Sequence, residues 1–457
     1  MNRRARRTLL ASLTALLAPT LLAAQQLRGT VRDSMSGLGV PGAVVSTLDA
    51  AGQPTLRTIS DQAGEFVLDA PAGTRRLRVI RIGFSPRTVS VPATGAPLDV
   101  RMLALPALLT RVHVSDRAIC PGSDDRSGAL ALWDQARAGL LATVVARQTH
   151  PGQMRILGYA TDRDPRSGVV VKQITQLTTG TSARPFVAVN KAAEFARSGY
   201  MERIPDGLNF FAPDADVLLD PTFAATHCFH IARDDDHPGQ VGLGFTPAPD
   251  ARHPDDFVDV RGTLWIESDH PELRTLDFRY TGLASAFEDA GAGGRLVFRT
   301  LANGLSLIER WHMNLPSFEA TVPAAFPRLP SDRQSRGWPT QEPERTVRLT
   351  HWHDTGGEVL AAQWPDGSRL DPAIGAVTGT VRDATGAPLA GVRVSLNETP
   401  DSARTDSTGR FILWPVIPGR YDLSAVDSTD AKHAASRTTT VTVARDTLNV
   451  GVLALPR

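Results

Sequence analysis

The sequence predicts a mainly β protein in which two small β-sandwich domains flank a β-rich antiparallel middle domain with one long helix. Three observations predict this class. Apolar residues alternate with polar ones in short stretches that end at turn residues, which is the pattern of half-buried strands. Gly 38 and Pro 33 are frequent among the 457 residues but follow no triplet period, so a turn-rich fold is favoured over collagen. A segment near the amino terminus also recurs near the carboxyl terminus.

The length and charge of the chain limit its class. A chain of 457 residues is long enough for two or three domains with sizeable cores. Hydrophobic residues make up 42% and charged residues 21%, which is typical of globular proteins. Lys+Arg total 49 against Asp+Glu 48, so the chain lacks the excess positive charge that attracts nucleic acids. We therefore expect no nucleic-acid partner.

Residues 1–24 have the pattern of a secretory signal peptide. Four arginines precede an apolar run from about Leu9 to Leu22, and small residues follow. We expect cleavage near Ala24 and a location in the periplasm, on the outer membrane surface or outside the cell. An Arg-rich organellar presequence is the alternative. The mature chain is expected to have no transmembrane span, because no later stretch is comparably apolar.

The chain has two cysteines, Cys120 and Cys228. In an oxidising compartment they predict one disulfide, which would close a loop of roughly 108 residues. Two free thiols are the alternative. His227 and His230 flank Cys228 in the manner of a metal cluster, but nothing nearby completes the three or four ligands that zinc needs. We expect no metal.

The repeat consists of five ordered matches between the two ends of the chain. Its clearest elements are Gly-Thr-Val-Arg-Asp, which is identical in both copies, and Asp-x-x-Gly-x-Phe. The matched segments are residues 29–33 with 379–383, 41–46 with 390–395, 61–66 with 406–411, 72–73 with 418–419, and 103–106 with 453–456.

Each copy predicts a small β-sandwich of roughly seven strands. The glycine of Asp-x-x-Gly-x-Phe, Gly64 or Gly409, is expected to adopt a positive φ in a turn. The phenylalanine two residues later then begins the next strand and points into the core. These domains are predicted to span residues 25–106 and 371–457.

The repeated motifs resemble those of the carboxypeptidase regulatory-like domain. The series runs Gly-x-Val, Pro-x-x-Gly-x-x-Val, Thr-Asp-x-x-Gly-x-Phe and Pro-Gly-x-Tyr. The second copy contains the whole series, from Gly379 to Tyr421. The first copy departs at the last motif, where it has Thr-Arg-Arg-Leu at residues 74–77 in place of Arg-Tyr-Asp-Leu at residues 420–423. The resemblance implies a transthyretin-like sandwich related to the starch-binding-like superfamily. It implies no one activity, because such modules accompany peptidases, receptors and adhesins. The His-x-x-Glu zinc pair of the carboxypeptidases is absent from the sequence.

The middle region, residues 107–370, is predicted to be an antiparallel meander with one long helix. Leu130, Trp133 and Val144 recur at helical spacing after a polar capping segment, so the helix is expected to end near Arg147.

Several strands are expected after this helix. Val258 to Glu267 alternates in polarity, and Asn303-Gly304 is a strong hairpin signal. Six prolines in residues 316–345 predict an insertion that interrupts the sheet.

Two segments of the middle region resemble parts of uncharacterised bacterial envelope proteins that also carry a regulatory-like domain. They are residues 211–229 and 262–274. The second segment is also similar to the half-barrels of lipoprotein carriers, which bind acyl chains.

Polar and glycine motifs supply few candidate sites. His351 and His353 share one face if their strand is regular, so both imidazoles could reach one metal or anion, while Asp354 would point elsewhere. Two ligands are too few, and a solvated face is the preferred interpretation. Residues 37–42 have the letters of a dinucleotide-binding loop, but a strand is expected to follow them rather than a helix.

Three tryptophans could form a sugar-stacking platform. Trp265, Trp311 and Trp352 each fall in a predicted strand, where core packing also needs bulky side chains. Core packing is the preferred interpretation.

These observations favour an exported, non-enzymatic binding or scaffold protein of the bacterial cell envelope, with an envelope glycan or protein as partner. The first alternative is a half-barrel carrier of a lipid or other apolar ligand. The second is a hydrolase or peptidase of unfamiliar type. We expect no catalytic residues and no cofactor, and the residues leave the ligand and the oligomeric state open.

Overall fold

The fold is that of a computed structural model. The described residues are 24–105, 120–121, 128–181, 186, 188, 190–204, 207–249, 257–321, 346–397, 402–427 and 435–455. The predicted signal peptide lies outside them apart from residue 24, and the Pro-rich segment lies outside them from residue 322 onwards. Strands predominate over helices in the described residues, which confirms the mainly β class.

The amino-terminal module is a sandwich of two sheets. Its strands are β1 (Ala24–Asp33), β2 (Val44–Leu48), β3 (Pro54–Ile59), β4 (Glu65–Pro71), β5 (Arg76–Ile80), β6 (Arg87–Ser90) and β7 (Leu98–Met102). One sheet has the order β4-β1-β7 and the other β3-β2-β5-β6. Phe66, Leu68 and Ala70 alternate with exposed residues along β4 and are buried, as a strand with one core face requires.

The predicted long helix is present as α1, Gly128–Thr149. Leu132, Ala136 and Leu140 are fully buried at a spacing of four residues, so they form one apolar stripe along the helix. The polar residues 123–127 that were expected to cap it lie outside the described residues. Four short helices were not predicted: α2 (Ala192–Ser198), α3 (Ala215–Leu219), α4 (Pro221–Thr226) and α5 (Ser285–Ala290).

The middle domain is built on one antiparallel sheet of ten strands. Its strands and those of a separate hairpin are β8 (Gln153–Arg163), β9 (Val170–Thr181), β10 (Met201–Ile204), β11 (Gly207–Phe210), β12 (His227–Ala232), β13 (Gln240–Pro247), β14 (Asp259–Glu267), β15 (Leu273–Thr281), β16 (Gly293–Thr300), β17 (Ser306–Thr321), β18 (Thr346–Gln363) and β19 (Arg369–Leu370). The sheet order is β12-β13-β14-β15-β16-β17-β18-β8-β9, with β19 beside β18 and β10 paired only with β11. The run from β12 to β18 is the predicted meander.

The hairpin predicted at Asn303 and Gly304 is confirmed. β16 and β17 pair antiparallel on either side of Asn303 and Gly304, and Gly304 has a φ of 83°. β14 and β15 likewise pair antiparallel, on either side of residues 268–271.

The carboxyl-terminal module repeats the topology of the first. Its strands are β20 (Gly375–Arg382), β21 (Arg393–Leu396), β22 (Ser402–Arg404), β23 (Arg410–Val416), β24 (Gly419–Asp427), β25 (Ala435–Val443) and β26 (Thr447–Ala454). The orders β23-β20-β26 and β22-β21-β24-β25 correspond strand by strand to those of the amino-terminal module. The predicted repeat is therefore a repeat of structure.

The shared motif residues explain this repetition. Gly64 and Gly409 have φ values of 79° and 75°, as expected for the turn before the motif phenylalanine. A Cβ on Gly379 would lie 2.9 Å from the ring of Phe411, its register partner, so the aromatic ring covers the backbone of that glycine. The motif thus supplies both a turn and a close cross-strand contact.

The two terminal modules pack on opposite sides of the ten-stranded sheet. Helices α1 to α4 cover what we call the inner face, and the amino-terminal module packs on α1 through a cluster containing Val44, Ile59 and Val145. The carboxyl-terminal module lies on the outer face at β8 and β9, where the Tyr421 hydroxyl is 3.0 Å from Gln173 Oε1. Helices thus pack against the inner face of the sheet.

Candidate functional site

The outer face of β12 to β17 forms an open cleft of about 610 Å³, which we call the outer cleft. The register of the strands explains which side chains meet there, because alternate residues of each strand face the same side. One row across neighbouring strands consists of His230, Gly244, Thr263, Asp277, Arg295 and His312. The cleft is therefore lined mainly by polar side chains.

Glycines on β13 leave room for aromatic rings to lie along the sheet. A Cβ on Gly244 would lie 2.2 Å from Nε2 of His230, and one on Gly242 would lie 2.9 Å from Cζ3 of Trp265. Both rings therefore occupy space that any larger residue on β13 would fill.

A stacked pair of rings lies at one end of the outer cleft. The His237 and Trp265 rings are 3.9 Å apart between centroids and nearly parallel, at 7°. His237 Nε2 lies 3.5 Å from Asp277 Oδ2, and Asp277 also forms an ion pair with Arg295. His237 Nδ1 is buried without a hydrogen bond, because the nearest carboxylate, that of Asp234, is 3.7 Å away.

Two arginines in the cleft have no acidic partner among the described residues. Arg261 on β14 and Arg279 on β15 are direct register partners, and both side chains are exposed. Neither forms an ion pair with any described residue. Like charges directly opposite one another destabilise a strand pair, so this arrangement has a cost that an anionic ligand would relieve.

Burial sets the charge of the histidines in this row. It lowers the pKa of His230, and it is also the largest cause of the lowered pKa of His312. Both imidazoles are therefore neutral at pH 7, where each has one donor and one acceptor nitrogen. The outer cleft can thus stack, donate and accept hydrogen bonds, and attract an anion through Arg261 and Arg279.

The predicted histidine pair is brought together by a third residue. His353 Nδ1 lies 2.6 Å from Asp162 Oδ1 on β8, and His351 Nε2 lies 3.9 Å from the same oxygen. Asp354 faces the other side and pairs with Arg163, as the strand alternation predicts. In the described part of the chain, no group of three or more His, Cys, Asp or Glu side chains is placed to hold a metal ion.

The structure does not assemble the three tryptophans into one platform. Trp265 is 4% exposed and lies on the outer face. Trp311 is on the inner face, where its ring centroid is 4.8 Å from that of Phe186. Trp352 is on β18, four strands from β14, a separation of about 19 Å at ~4.8 Å per strand.

The remaining sequence motifs have structural roles. Cys120 and Cys228 form the predicted disulfide. His227 stacks on Phe223 on the inner face, whereas His230 is on the outer face, so the two do not converge. Residues 37–42 lead into strand β2, not into a helix.

Arg261, Arg279 and Asp277 were not among the site residues predicted from the sequence. Polarity alternation along β14 already placed Arg261 on a polar face. The pairing of Arg261 with Arg279 depends on the register of two strands, however, which alternation alone does not specify.

Comparison with solved structures gives only distant likenesses. A chain of a type II cohesin–X-dockerin complex from Acetivibrio cellulolyticus is 23% identical over 18% of this chain, with a TM-score of 0.15, and the match spans 56% of that chain's length. The major pilin subunit BcpA of Bacillus cereus is 8% identical, with 94% of this chain and 99% of the pilin covered and a TM-score of 0.16. The pilus adhesin SpaC of Lactobacillus rhamnosus GG in its open conformation is 10% identical, with 95% and 43% covered and a TM-score of 0.15.

No curated protein matches the chain. None of the described helices is long and apolar enough to cross a membrane.

The sequence profile of the carboxypeptidase regulatory-like domain matches residues 26–103 and 376–455, which are the two sandwich modules. Residues 26–103 and 376–455 are therefore carboxypeptidase regulatory-like domains, one at each end of the chain.

Proposed function

We propose that the protein is an exported, non-enzymatic binding protein of the bacterial cell envelope whose outer cleft binds an acidic glycan. The observation that carries this proposal is the pair Arg261 and Arg279, exposed and without carboxylate partners in the described residues, on the floor of a polar cleft of about 610 Å³. A cleft of this size is within the usual range for ligand sites.

The other groups of the outer cleft suit a sugar chain. Asn314 and His312 offer hydrogen-bond donors and acceptors to hydroxyl groups. The half-buried ring of His237, which stacks on the buried Trp265, offers a flat surface at one end of the cleft. Carboxylate or phosphate groups on the glycan would pair with the two arginines.

A scaffold role is the second candidate function. Each terminal module makes buried contacts with the middle domain, through Val44 and Val145 at one end and Tyr421 and Gln173 at the other. Such contacts favour a fixed spacing between the modules.

Binding to acidic and neutral polysaccharides tests the proposal. The full mature chain is expected to bind polygalacturonate but not dextran at low salt. The variant Arg261→Gln/Arg279→Gln is expected to bind polygalacturonate at least about tenfold more weakly, since two charge-assisted hydrogen bonds are lost. Arg348→Gln is the matched control, because Arg348 is exposed on β18 outside the cleft.

The result can also contradict the proposal. Equal binding to both polysaccharides would contradict recognition of an acidic glycan. An equal loss of polygalacturonate affinity in Arg348→Gln would show that the outer cleft is not the binding site. Absence of any binding by the wild-type chain would favour the scaffold role.

A further inference from the structure

A second cavity lies between the amino-terminal module and helix α1, on the other side of the sheet from the outer cleft. It has a volume of about 350 Å³, within the usual range for ligand sites. At about 30 Å³ for each water-sized group, it has room for roughly a dozen non-hydrogen atoms. We call it the module groove.

One wall of the module groove presents two arginines, one on each side of strand β2. Ser46 on β2 is the register partner of Arg57 on β3 and of Arg78 on β5, so the two guanidinium groups flank the hydroxyl on one face. Neither arginine forms an ion pair with a described residue. Arg57 Nε is buried without a hydrogen-bond partner, and Ser46 is only 4% exposed. A buried donor without a partner is costly, so the site is suited to an anionic group.

The carboxylates that line the module groove do not neutralise these arginines. Asp216 pairs with Arg147 at 2.6 Å, and Asp220 accepts a hydrogen bond from the amide of Thr222. Asp134 is exposed on α1, one turn before Arg137, which adds a further cation to the lining. The groove therefore retains a positive end.

The rest of the lining is apolar. Ile80 from β5, Leu141 from α1 and Leu219 from α3 are half-buried and face the groove. Half-buried aliphatic side chains beside unpaired cations match a ligand with an anionic head and an aliphatic tail. Covering them would remove apolar surface from water.

We propose that the module groove binds a small anionic amphiphile, a carboxylate with an aliphatic chain, with its head between Arg57 and Arg78 and its tail along Leu141. This site shares no lining residue with the outer cleft, so the two proposals are tested independently.

Calorimetric titration of the full mature chain with three probes tests this proposal. Decanoate has twelve non-hydrogen atoms and is expected to bind at least about tenfold more tightly than either decanol or acetate, because only decanoate uses both parts of the groove. Arg57→Gln/Arg78→Gln is expected to lower the decanoate affinity about tenfold and to leave the decanol affinity unchanged. Arg87→Gln, an exposed arginine on β6 of the same sheet outside the groove, is the matched control.

Two further measurements keep the test decisive. If the double variant does not fold, the decanoate affinity of the wild-type chain should still fall with added salt while that of decanol does not. Decanoate binding should also be unchanged in Arg261→Gln/Arg279→Gln, which separates this site from the outer cleft. Decanol binding as tightly as decanoate, or acetate binding equally well, would overturn the proposal.

Discussion

Arg445 and Glu358 form a two-point ion pair between the carboxyl-terminal module and the ten-stranded sheet. Arg445 Nη1 lies 2.7 Å from Glu358 Oε2, and Nη2 lies 2.7 Å from Oε1. The Glu358 side chain is only 7% exposed. Because a buried carboxylate is costly without a partner, this pair helps to determine where the module sits on the outer face.

Arg445→Gln is expected to reduce the free energy of unfolding of the docked module by about 2 kcal/mol. The loss is smaller than for an isolated buried pair, because Arg310 is the register partner of Glu358 and offers a second positive charge. Hydrogen exchange of the β24 amides in the full chain measures the change.

Two variants complete this test. Adding Glu358→Gln to Arg445→Gln should recover part of the loss, since no unpaired carboxylate remains. Arg437→Gln is the control, because the Arg437 guanidinium only reaches the Ala454 carbonyl within its own module. An equal loss in the control would mean that the ion pair does not dock the module.

Gly29→Ala is expected to destabilise the amino-terminal module by at least about 2 kcal/mol. The new Cβ would lie 2.5 Å from the Leu98 carbonyl oxygen and 2.7 Å from the Phe66 ring. Urea unfolding measures the loss. Gly180→Ala should change stability by less than about 0.5 kcal/mol, because its Cβ would meet nothing within 4 Å and its φ is not positive. Similar effects at both positions would argue against steric exclusion at Gly29.

The terminal modules could be predicted from the sequence because their signals are local. The turn at Gly64 and the phenylalanine after it lie within one short motif, and the motif occurs twice. Gly29 on β1 lies opposite Phe66 on β4, so the pairing of these two strands brings the motif residues into contact. The motif residues therefore define the sandwich.

The sites could not be predicted in the same way because they depend on strand register. Asp162 meets His353 across 191 residues of sequence, and Arg261 meets Arg279 only through the pairing of β14 with β15. Alternation tells which face a side chain occupies, but the row it joins is determined by the neighbouring strand. The short helices of the inner face were missed because they have only five to seven residues, too few for a clear period.

Removing the disulfide with Cys120→Ser/Cys228→Ser is expected to lower the free energy of unfolding by up to about 4–5 kcal/mol. The bond joins residues 108 positions apart, and long closed loops restrict the unfolded chain most. Urea unfolding with and without reductant measures the effect. Reductant should shift the wild-type midpoint and leave that of the double variant unchanged. If reductant shifts both equally, the stabilisation does not come from this bond.

Acid is expected to destabilise the protein partly through His312. Burial is the main cause of the lowered pKa of His312. The negative charges of Asp354 and Asp277 act to raise this pKa, whereas the positive charges of Arg295 and Arg163 lower it further. Below about pH 6.5, the ordinary pKa of histidine, the unfolded chain therefore binds a proton that the folded chain still excludes. The stabilisation is complete above that pH and is lost as the pH falls through the lower folded-state pKa.

The variant His312→Gln isolates this contribution, because glutamine keeps a polar side chain but cannot take up the proton. Urea unfolding at pH 7.5 and pH 5.0 should show a smaller loss of stability in His312→Gln than in the wild-type chain. His270→Gln, in the exposed turn between β14 and β15, is the matched substitution and should retain the wild-type loss. The same loss in all three proteins would mean that the charge of His312 in the outer cleft does not limit stability in acid.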